Sequence, residues 1–367
     1  MRVVHVTCRY YPNIGGVEAL VKELNDKLVE KGCSIAVYAF DRNNAFPKKQ
    51  YIDGVLVRRY KPIVGDPLYL PPAEFLKDIR SDPSTILHVH DVHSLLILIT
   101  ALSKRSDQKM LLQLHYHRFG ESVLRCFFFR AYKRLLNLIV FPRAAGTIVN
   151  SRYEERIIKE DFSNCKRITL LPESLPIKEL ESVQWKPDSP KRILYVGSLR
   201  KYKNVDKLLH AFSLVHQSQE EELKLAIIGD GPERNRLTSL ANKLGINAHV
   251  EWKHHLSRRE LLSEYSRAQV FVLLSPLESF SRVVHEALII GLPTIVLNLG
   301  ATAELVKDGL LKGVDSTRKE ELAHAINEAL KIKKAEVSFG HLASSDVDQY
   351  SNEFIMLYKS MLSGDYV

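Results

Sequence analysis

Pro276-Leu277-Glu278-Ser279-Phe280-Ser281-Arg282-Val283-Val284-His285-Glu286 follows directly on the apolar run Val270-Phe271-Val272-Leu273-Leu274-Ser275. The run has the length and composition of a buried strand. Val283, Val284, Ala287 and Leu288 then recur at helical spacing until Gly291 and Pro293 stop the helix. Thr294-Ile295-Val296-Leu297-Asn298 reads as the next strand. One acid, Glu278, falls in the loop above the first strand. The other, Glu286, falls about two turns into the helix, roughly 10 Å away at a rise of ~1.5 Å per residue. Loops at the carboxyl ends of strands are where open α/β sheets bind ligands, so both acids are candidate ligand contacts. The competing reading is two solvated acids near a helix N-terminus, where negative charge is favoured.

The same rhythm extends in both directions. Strands are predicted at 2–7, 34–40, 54–60, 85–90, 110–115, 146–150 and 168–171, with helices at 16–31, 92–104, 120–137 and 152–160. It restarts with strands at 192–197, 223–228, 249–253, 270–275 and 294–298, and with helices near 204–218, 231–244, 258–267 and 281–290. Short apolar strands alternating with helices imply parallel sheets covered on both faces. The expectation is therefore α/β, with two Rossmann-like doubly wound domains. The first spans 1–172. A linker punctuated by Pro172, Pro176, Pro187 and Pro190 covers 173–190, and the second domain covers 191–346. A last helix begins at Val347.

Composition narrows the function classes. The chain has 367 residues, 45% hydrophobic and 26% charged, as expected of a globular protein. No apolar run approaches the length of a membrane span, and the β-branched start does not resemble a secretory signal. Cys8, Cys33, Cys126 and Cys165 lack metal-type spacing and read as reduced thiols, which predicts a cytoplasmic protein. The net charge is +9, and much of the excess lies between Leu102 and Arg143, where nine Lys or Arg face only Asp107 and Glu121. No nucleic-acid motif accompanies this charge, so nucleic acid is not an expected partner.

Three glycine-bearing turns follow predicted strands. Gly15-Gly16-Val17-Glu18 opens the first helix, where close backbone approach and the positive helix end suit a phosphate. Val196-Gly197-Ser198-Leu199-Arg200-Lys201-Tyr202-Lys203 places three cations just past a strand end. Gly229-Asp230-Gly231-Pro232 opens another helix. Each can also be read as an ordinary tight turn or a solvated basic loop.

Taken in order, these motifs resemble those of retaining, nucleotide-sugar-dependent glycosyltransferases of the family-4 type, which have the GT-B fold. Glu278, Phe280 and Glu286 match the family signature. Ser281 stands where glycine is usual, and Arg282 where an aliphatic residue is usual. Lys203 matches the family's diphosphate-binding lysine, while Ser198 replaces its arginine and leaves Arg200 as the nearby guanidinium. Gly-x-Gly-Pro at Gly229 and the segment Gly300-Ala301-Thr302-Ala303-Glu304 also match. The resemblance implies two domains facing a cleft, the first completed by the C-terminal helix 347–367. It implies a nucleotide-diphospho-sugar donor and a glycan or lipid-linked acceptor in glycan assembly, with no cofactor and no metal. Glu278, His115 and Lys203 become the implied catalytic set. Gly15, Gly16, Ser198, Arg200, Lys203, Gly229, Lys253, Phe280, Ser281, Arg282, Val283 and Glu286 become donor contacts, Glu286 taking the ribose hydroxyls and the strand ending at Lys253 approaching the nucleobase. A sugar-nucleotide epimerase and a non-catalytic nucleotide-sugar-binding module remain as alternatives; a phosphorylase would need a pyridoxal-lysine context that is not evident.

His88-Val89-His90-Asp91-Val92-His93 has the look of a metal cluster, but its strand–Asp–helix context fits a polar strand end better, and no metal is expected there. His115 closes the strand Leu111-Leu112-Gln113-Leu114, with His117 a weaker candidate beside it. In segment 125–136, basic residues gather near one helix face and aromatic or aliphatic ones near another. That pattern suits a peripheral helix on an anionic membrane surface, or an ordinary helix with a buried aromatic side.

Overall fold

The computed structural model describes every residue except 14, 67, 119–129, 220, 333–344 and 366–367. The chain forms two compact units: Met1–Ser174 with Ser344–Val367, and Leu175–Ala343.

The first unit is built on eight strands: β1 (Arg2–Val6), β2 (Ser34–Phe40), β3 (Lys49–Ile52), β4 (Val55–Tyr60), β5 (Ile86–His90), β6 (Lys109–Gln113), β7 (Gly146–Val149) and β8 (Ile168–Leu170). Their order is β3-β4-β2-β1-β5-β6-β7-β8, parallel throughout except that β3 pairs antiparallel to β4. Period-two alternation splits β1 between two cores. Val4 and Val6 join Phe75, Leu96 and Leu112 on one face, while Val3 joins Leu20, Leu24, Ile86 and Leu111 on the other. The helix Val347–Ser363 seals the second face with Tyr350, Phe354, Tyr358 and Met361, spaced as one helical stripe.

The second unit holds β9 (Lys191–Val196), β10 (Leu223–Ile228), β11 (Val250–Lys253), β12 (Val270–Leu273), β13 (Thr294–Leu297) and β14 (Lys312–Val314). Their order is β11-β10-β9-β12-β13-β14, all parallel. In each sheet the winding reverses beside one strand. That strand is β1, flanked by β2 and β5, in the first unit, and β9, flanked by β10 and β12, in the second. Reversal opens a crevice at the carboxyl ends of those strands, and that crevice is the ligand position of doubly wound sheets.

Several elements depart from the sequence reading. The helix expected over 92–104 starts only at Leu95, because Asp91 takes a left-handed turn with φ 68°. The helix expected over 120–137 falls partly on 119–129, outside the described residues. Its described part runs from Arg130 into a wider turn over Leu136–Val140. Segment 173–190, expected as a linker, belongs from Leu175 onward to the second unit. It contains the helix Ile177–Glu181 with Leu180 buried, and it is strapped down by Trp185 Nε1 to Ala268 O (2.7 Å) and Lys186 N to Ser266 O (2.9 Å). The helices Ala73–Ser81, Thr302–Lys307 and Lys319–Ala329 and the strands β3 and β14 were not anticipated.

Candidate active site

In the second unit the turns after β9, β10 and β12 meet at the switch point. The β9 and β10 turns lock together through Gly197 N to Ile228 O (3.0 Å), Leu199 N to Asp230 O (2.9 Å) and Glu233 N to Leu199 O (3.0 Å). A Cβ on Gly229 would collide with the Gly197 carbonyl, and one on Gly231 would lie 2.5 Å from the Leu199 oxygen. Gly229, expected as a donor contact, is thus required by turn-on-turn packing. Asn204 ties the β9 turn to β12, adopting a left-handed φ of 55° and donating its side-chain amide to Leu274 O at 2.9 Å.

This anchoring brings Lys203 onto Glu278. The Nζ and Oε1 form a close ion pair, with 13% and 12% of the side chains exposed. Burial works to lower the Lys203 pKa, but the Glu278 charge outweighs it and the net shift is upward. A lysine so held stays cationic and can meet developing phosphate charge. The Glu278 loop is fixed from the far side, where Ala301 N donates to Glu278 O (3.1 Å). Gly300 lies there at φ 67°, and a Cβ on it would sit 3.1 Å from that same carbonyl.

Ser281, at φ 74°, is the left-handed residue that starts the helix Arg282–Ile290. Its carbonyl accepts from Val284 N (3.1 Å), and Phe280 stacks on His285 with ring centres 4.0 Å apart. Phe280 is therefore a buried anchor of the helix start, leaving only its backbone for a ligand. No side chain caps this helix, so its positive end is turned to the loop that carries Glu278. Ser198 is exposed, and its carbonyl accepts from Tyr195 OH at 3.0 Å. Arg200 is partly exposed beside Lys203, while Arg282 and Val283 are half-buried at the helix start.

Glu286 is 4% exposed. Its Oε1 accepts from Arg258 Nη1 at 2.6 Å and its Oε2 from Tyr265 OH at 3.1 Å. Arg258 also reaches Glu179 Oε2 through Nε at 2.9 Å. Neither Arg258 nor Tyr265 was legible as a site residue, since the helix Arg258–Arg267 reads as an ordinary amphipathic one. The capping box of Ser257 and Glu260, which fixes where that helix starts, was the available signal. The Lys253 amine is bound to Glu264 (2.6 Å) and Glu251 (3.3 Å) in a network with Arg192, which leaves the expected backbone approach of this strand to a nucleobase as the way it could meet a ligand.

In the first unit the helix Gly16–Glu30 begins just past β1. A Cβ on Gly15 would clash with the Glu18 carboxylate, which is buried and paired with Arg9 at 2.8 Å, whereas Gly16 faces open space. His115 sits past the end of β6 at a left-handed φ of 49°. Its Nδ1 lies 3.4 Å from Glu173 Oε1 and 3.3 Å from Asn150 Nδ2, and its Nε2 is buried without a partner. Burial alone would depress its pKa, but Glu173 leads the charges that raise it overall. Glu154 accepts from Asn150 N (2.7 Å) and from Tyr116 N, and burial pushes its pKa up to about 7.

The histidine cluster is recast. His88 and His90 join His5, with ring nitrogens of all three within 4.8 Å of one another, whereas Asp91 Oδ1 accepts a hydrogen bond from His93 N (2.9 Å) and His93 stacks on His117. Of the described residues, these three are the group that could hold a metal. Their geometry is that of neutral imidazoles bonded to one another and to the C-terminal helix. His5 Nδ1 and His90 Nε2 are 3.0 Å apart, and His88 Nδ1 meets Tyr358 OH at 2.8 Å. Burial lowers the pKa of all three, His5 to about 3.

In the described part of the basic segment, Arg130 and Arg134 are exposed beside Leu135 and Leu138. Tyr132 turns inward to Ser94 O (2.6 Å) and Lys133 pairs with Asp161 (2.8 Å). Arg125 to Phe129 lie outside the described residues. Among the described residues no helix is long and apolar enough to cross a membrane.

Each unit is a Rossmann-like sheet with a glycine-bearing turn beside its switch point, the architecture that GT-B proteins carry twice in one chain. Comparison with known proteins gives the family. Residues 14–176 match the Glycosyltransferase Family 4 model and residues 177–345 match Glycosyl transferases group 1, so the chain belongs to the family-4 type of glycosyltransferases. It is 24% identical over 324 residues to N-acetyl-alpha-D-glucosaminyl L-malate synthase of Bacillus anthracis, covering 83% of this chain and 81% of that one. It is 23% identical to alpha-monoglucosyldiacylglycerol synthase of Streptococcus pneumoniae, covering 90% and 78%. The solved E. coli trehalose-6-phosphate structure bound with UDP-2-fluoro glucose shares the fold at TM-score 0.72 and 15% identity, covering 98% and 99%. The chain is accordingly a transferase, and the epimerase and non-catalytic alternatives fall away.

Proposed function

We propose that the chain transfers a sugar, with retention, from a nucleotide-diphospho-sugar to an acceptor hydroxyl in glycan assembly. The observation that carries this reading is the Lys203–Glu278 pair, held at the switch point of the second sheet beside an uncapped helix end. Lys203, with Arg200 and the Ser198 turn, meets the charge that develops on the departing diphosphate. Glu278 takes hydroxyls of the transferred sugar once the lysine turns to phosphate, and the backbone of Phe280 to Val283 supports the sugar or phosphate. Glu286 takes the ribose. In the first unit, the open space at Gly16 and the helix start behind it suit a phosphate, and Glu173 and Asn150 hold His115 past the end of β6. The leaving-group charge is met by protein cations, so the scheme needs no metal or cofactor.

For the acceptor, the named relatives span a small acid and a lipid. Exposed Arg130 and Arg134 beside exposed Leu135 and Leu138 favour a lipid-linked acceptor reached from the cytoplasmic face of an anionic membrane. The test is a thermal-shift screen against UDP-, GDP- and ADP-sugars, repeated with Glu286→Ala and Lys203→Ala, followed by labelled-sugar transfer. Stabilisation by one nucleotide class, lost in both variants, is the expected result. A chain that no donor stabilises and that turns none over refutes the reading.

A further inference from the structure

Glu286 is held from two directions by groups that the family signature does not contain. Arg258 comes from the start of its helix and Tyr265 from two turns further on, so one face of the helix Arg258–Arg267 delivers both donors to a single carboxylate. The carboxylate is 6% exposed, and the Tyr265 ring is fully buried. Arg258 is in turn fixed by Glu179, which lies on the short helix Ile177–Glu181 packed against the helix that carries Glu286. The guanidinium therefore lies between two carboxylates, with its Nη2 buried and unbonded.

An ionised carboxylate offers about four acceptor positions. Arg258 occupies one on Oε1 and Tyr265 one on Oε2. One position remains on each oxygen, the pattern that two neighbouring hydroxyls of a ribose can fill together. A single donor would leave the carboxylate free to rotate about its terminal bond, and two donors on opposite oxygens stop that rotation. We propose that Arg258 and Tyr265 are positioning residues that orient Glu286 for the ribose diol, so that this triad sets the preference for ribonucleotide over deoxyribonucleotide donors. The proposal rests on the donor reading above.

The test measures binding of UDP, GDP and ADP, each beside its 2′-deoxy form, to the full chain and to Arg258→Met, Arg258→Lys and Tyr265→Phe. The native chain is expected to favour the ribose form of its nucleotide by about tenfold, the worth of a hydrogen bond to a charged group. Arg258→Met and Tyr265→Phe each reduce that preference at least about threefold, and Arg258→Lys retains part of it. Tyr265→Phe keeps the buried ring, so a folded variant is available even if Arg258→Met is unstable. A merely structural role would weaken both forms equally. An unchanged preference in folded Tyr265→Phe and Arg258→Lys overturns the proposal while leaving the donor reading intact. A native chain that binds none of the three nucleotides overturns both.

Discussion

Ser281→Gly should make the second unit more stable. Ser281 occupies φ 74°, a region that costs a non-glycine residue roughly 1–2 kcal/mol. Its hydroxyl is buried and has no hydrogen-bond partner, a further cost of about 1 kcal/mol or more. Glycine removes both burdens. Against this, glycine gives the unfolded chain more freedom, worth about 0.4–1 kcal/mol. The balance is a gain of about 1–2 kcal/mol for Ser281→Gly. Ser281→Ala separates the contributions, because it removes the hydroxyl and keeps the left-handed strain. The glycine variant should exceed the alanine variant by about 0.5–1 kcal/mol. Urea unfolding followed by fluorescence of Trp185 and Trp252, both in the second unit, reads the difference. A gain of 1 kcal/mol corresponds to about 2–4 °C in the melting of a unit this size. If Ser281→Ala proves as stable as Ser281→Gly, the backbone argument is wrong and the hydroxyl accounts for the whole effect. If both variants are less stable than the native chain, the serine is supported by a contact that the geometry does not reveal.

Lys203→Met should lower kcat by about a hundredfold or more in a transfer assay, and should also destabilise the unit by about 3 kcal/mol, because Glu278 is left buried and unpaired; the double variant Lys203→Met, Glu278→Leu should recover much of the stability and none of the activity. Glu154, with its pKa raised to about 7, contributes stability that is complete below about pH 4.5 and lost as pH rises through 7. Glu154→Gln should therefore gain on the native chain between pH 5 and pH 8, by up to about 3 kcal/mol, and a pH-independent difference in denaturation would contradict this. Arg192→Met should cost the second unit about 2–4 kcal/mol, since Arg192 is buried and bridges Glu251 (2.6 Å) and Glu264 (3.4 Å); a loss below 0.5 kcal/mol in urea titration, the size of an ordinary surface change, would show the network to be solvent-screened. Tyr358→Phe should cost about 1 kcal/mol by removing the bond to His88, and a larger loss would mean that the hydroxyl supports the whole histidine group.

The strands at the centre of each sheet were legible because burial on both faces leaves an uninterrupted apolar run, as in Val270 to Leu274. The edges were harder. Strand β3 alternates exposed and half-buried residues, and β14 has three residues, so neither carries enough apolar signal to separate it from a loop. The helix Ile177–Glu181 was hidden by its shortness and by Pro176, which marks a turn in sequence but here stands at the helix N-cap. Within the site, residues that follow strand ends could be found, because the turn supplies position and the charge supplies chemistry. Lys203 and Glu278 are of this kind. Arg258 and Tyr265 could not be found, because their role depends on one helix leaning on another, and no local spacing encodes that. His5 was missed for the same reason: it becomes a neighbour of His88 only through the pairing of β1 with β5.

The helix Val347–Ser363 belongs to the first unit, yet the second unit is inserted between them in the chain. During synthesis the face formed by Val3, Leu20, Leu24, Ile86 and Leu111 emerges long before its cover. At ordinary rates of elongation, roughly 5–20 residues per second, that face waits on the order of 10–30 s. The second unit, being continuous in sequence, can finish folding in that interval. The first cannot, so the nascent chain passes through a stage in which one finished body hangs from an unfinished one with an exposed apolar wall. Folding in cells should consequently depend on holdase chaperones that shield this wall, and a circular permutant that places Val347–Ser363 ahead of Met1 should relieve that dependence.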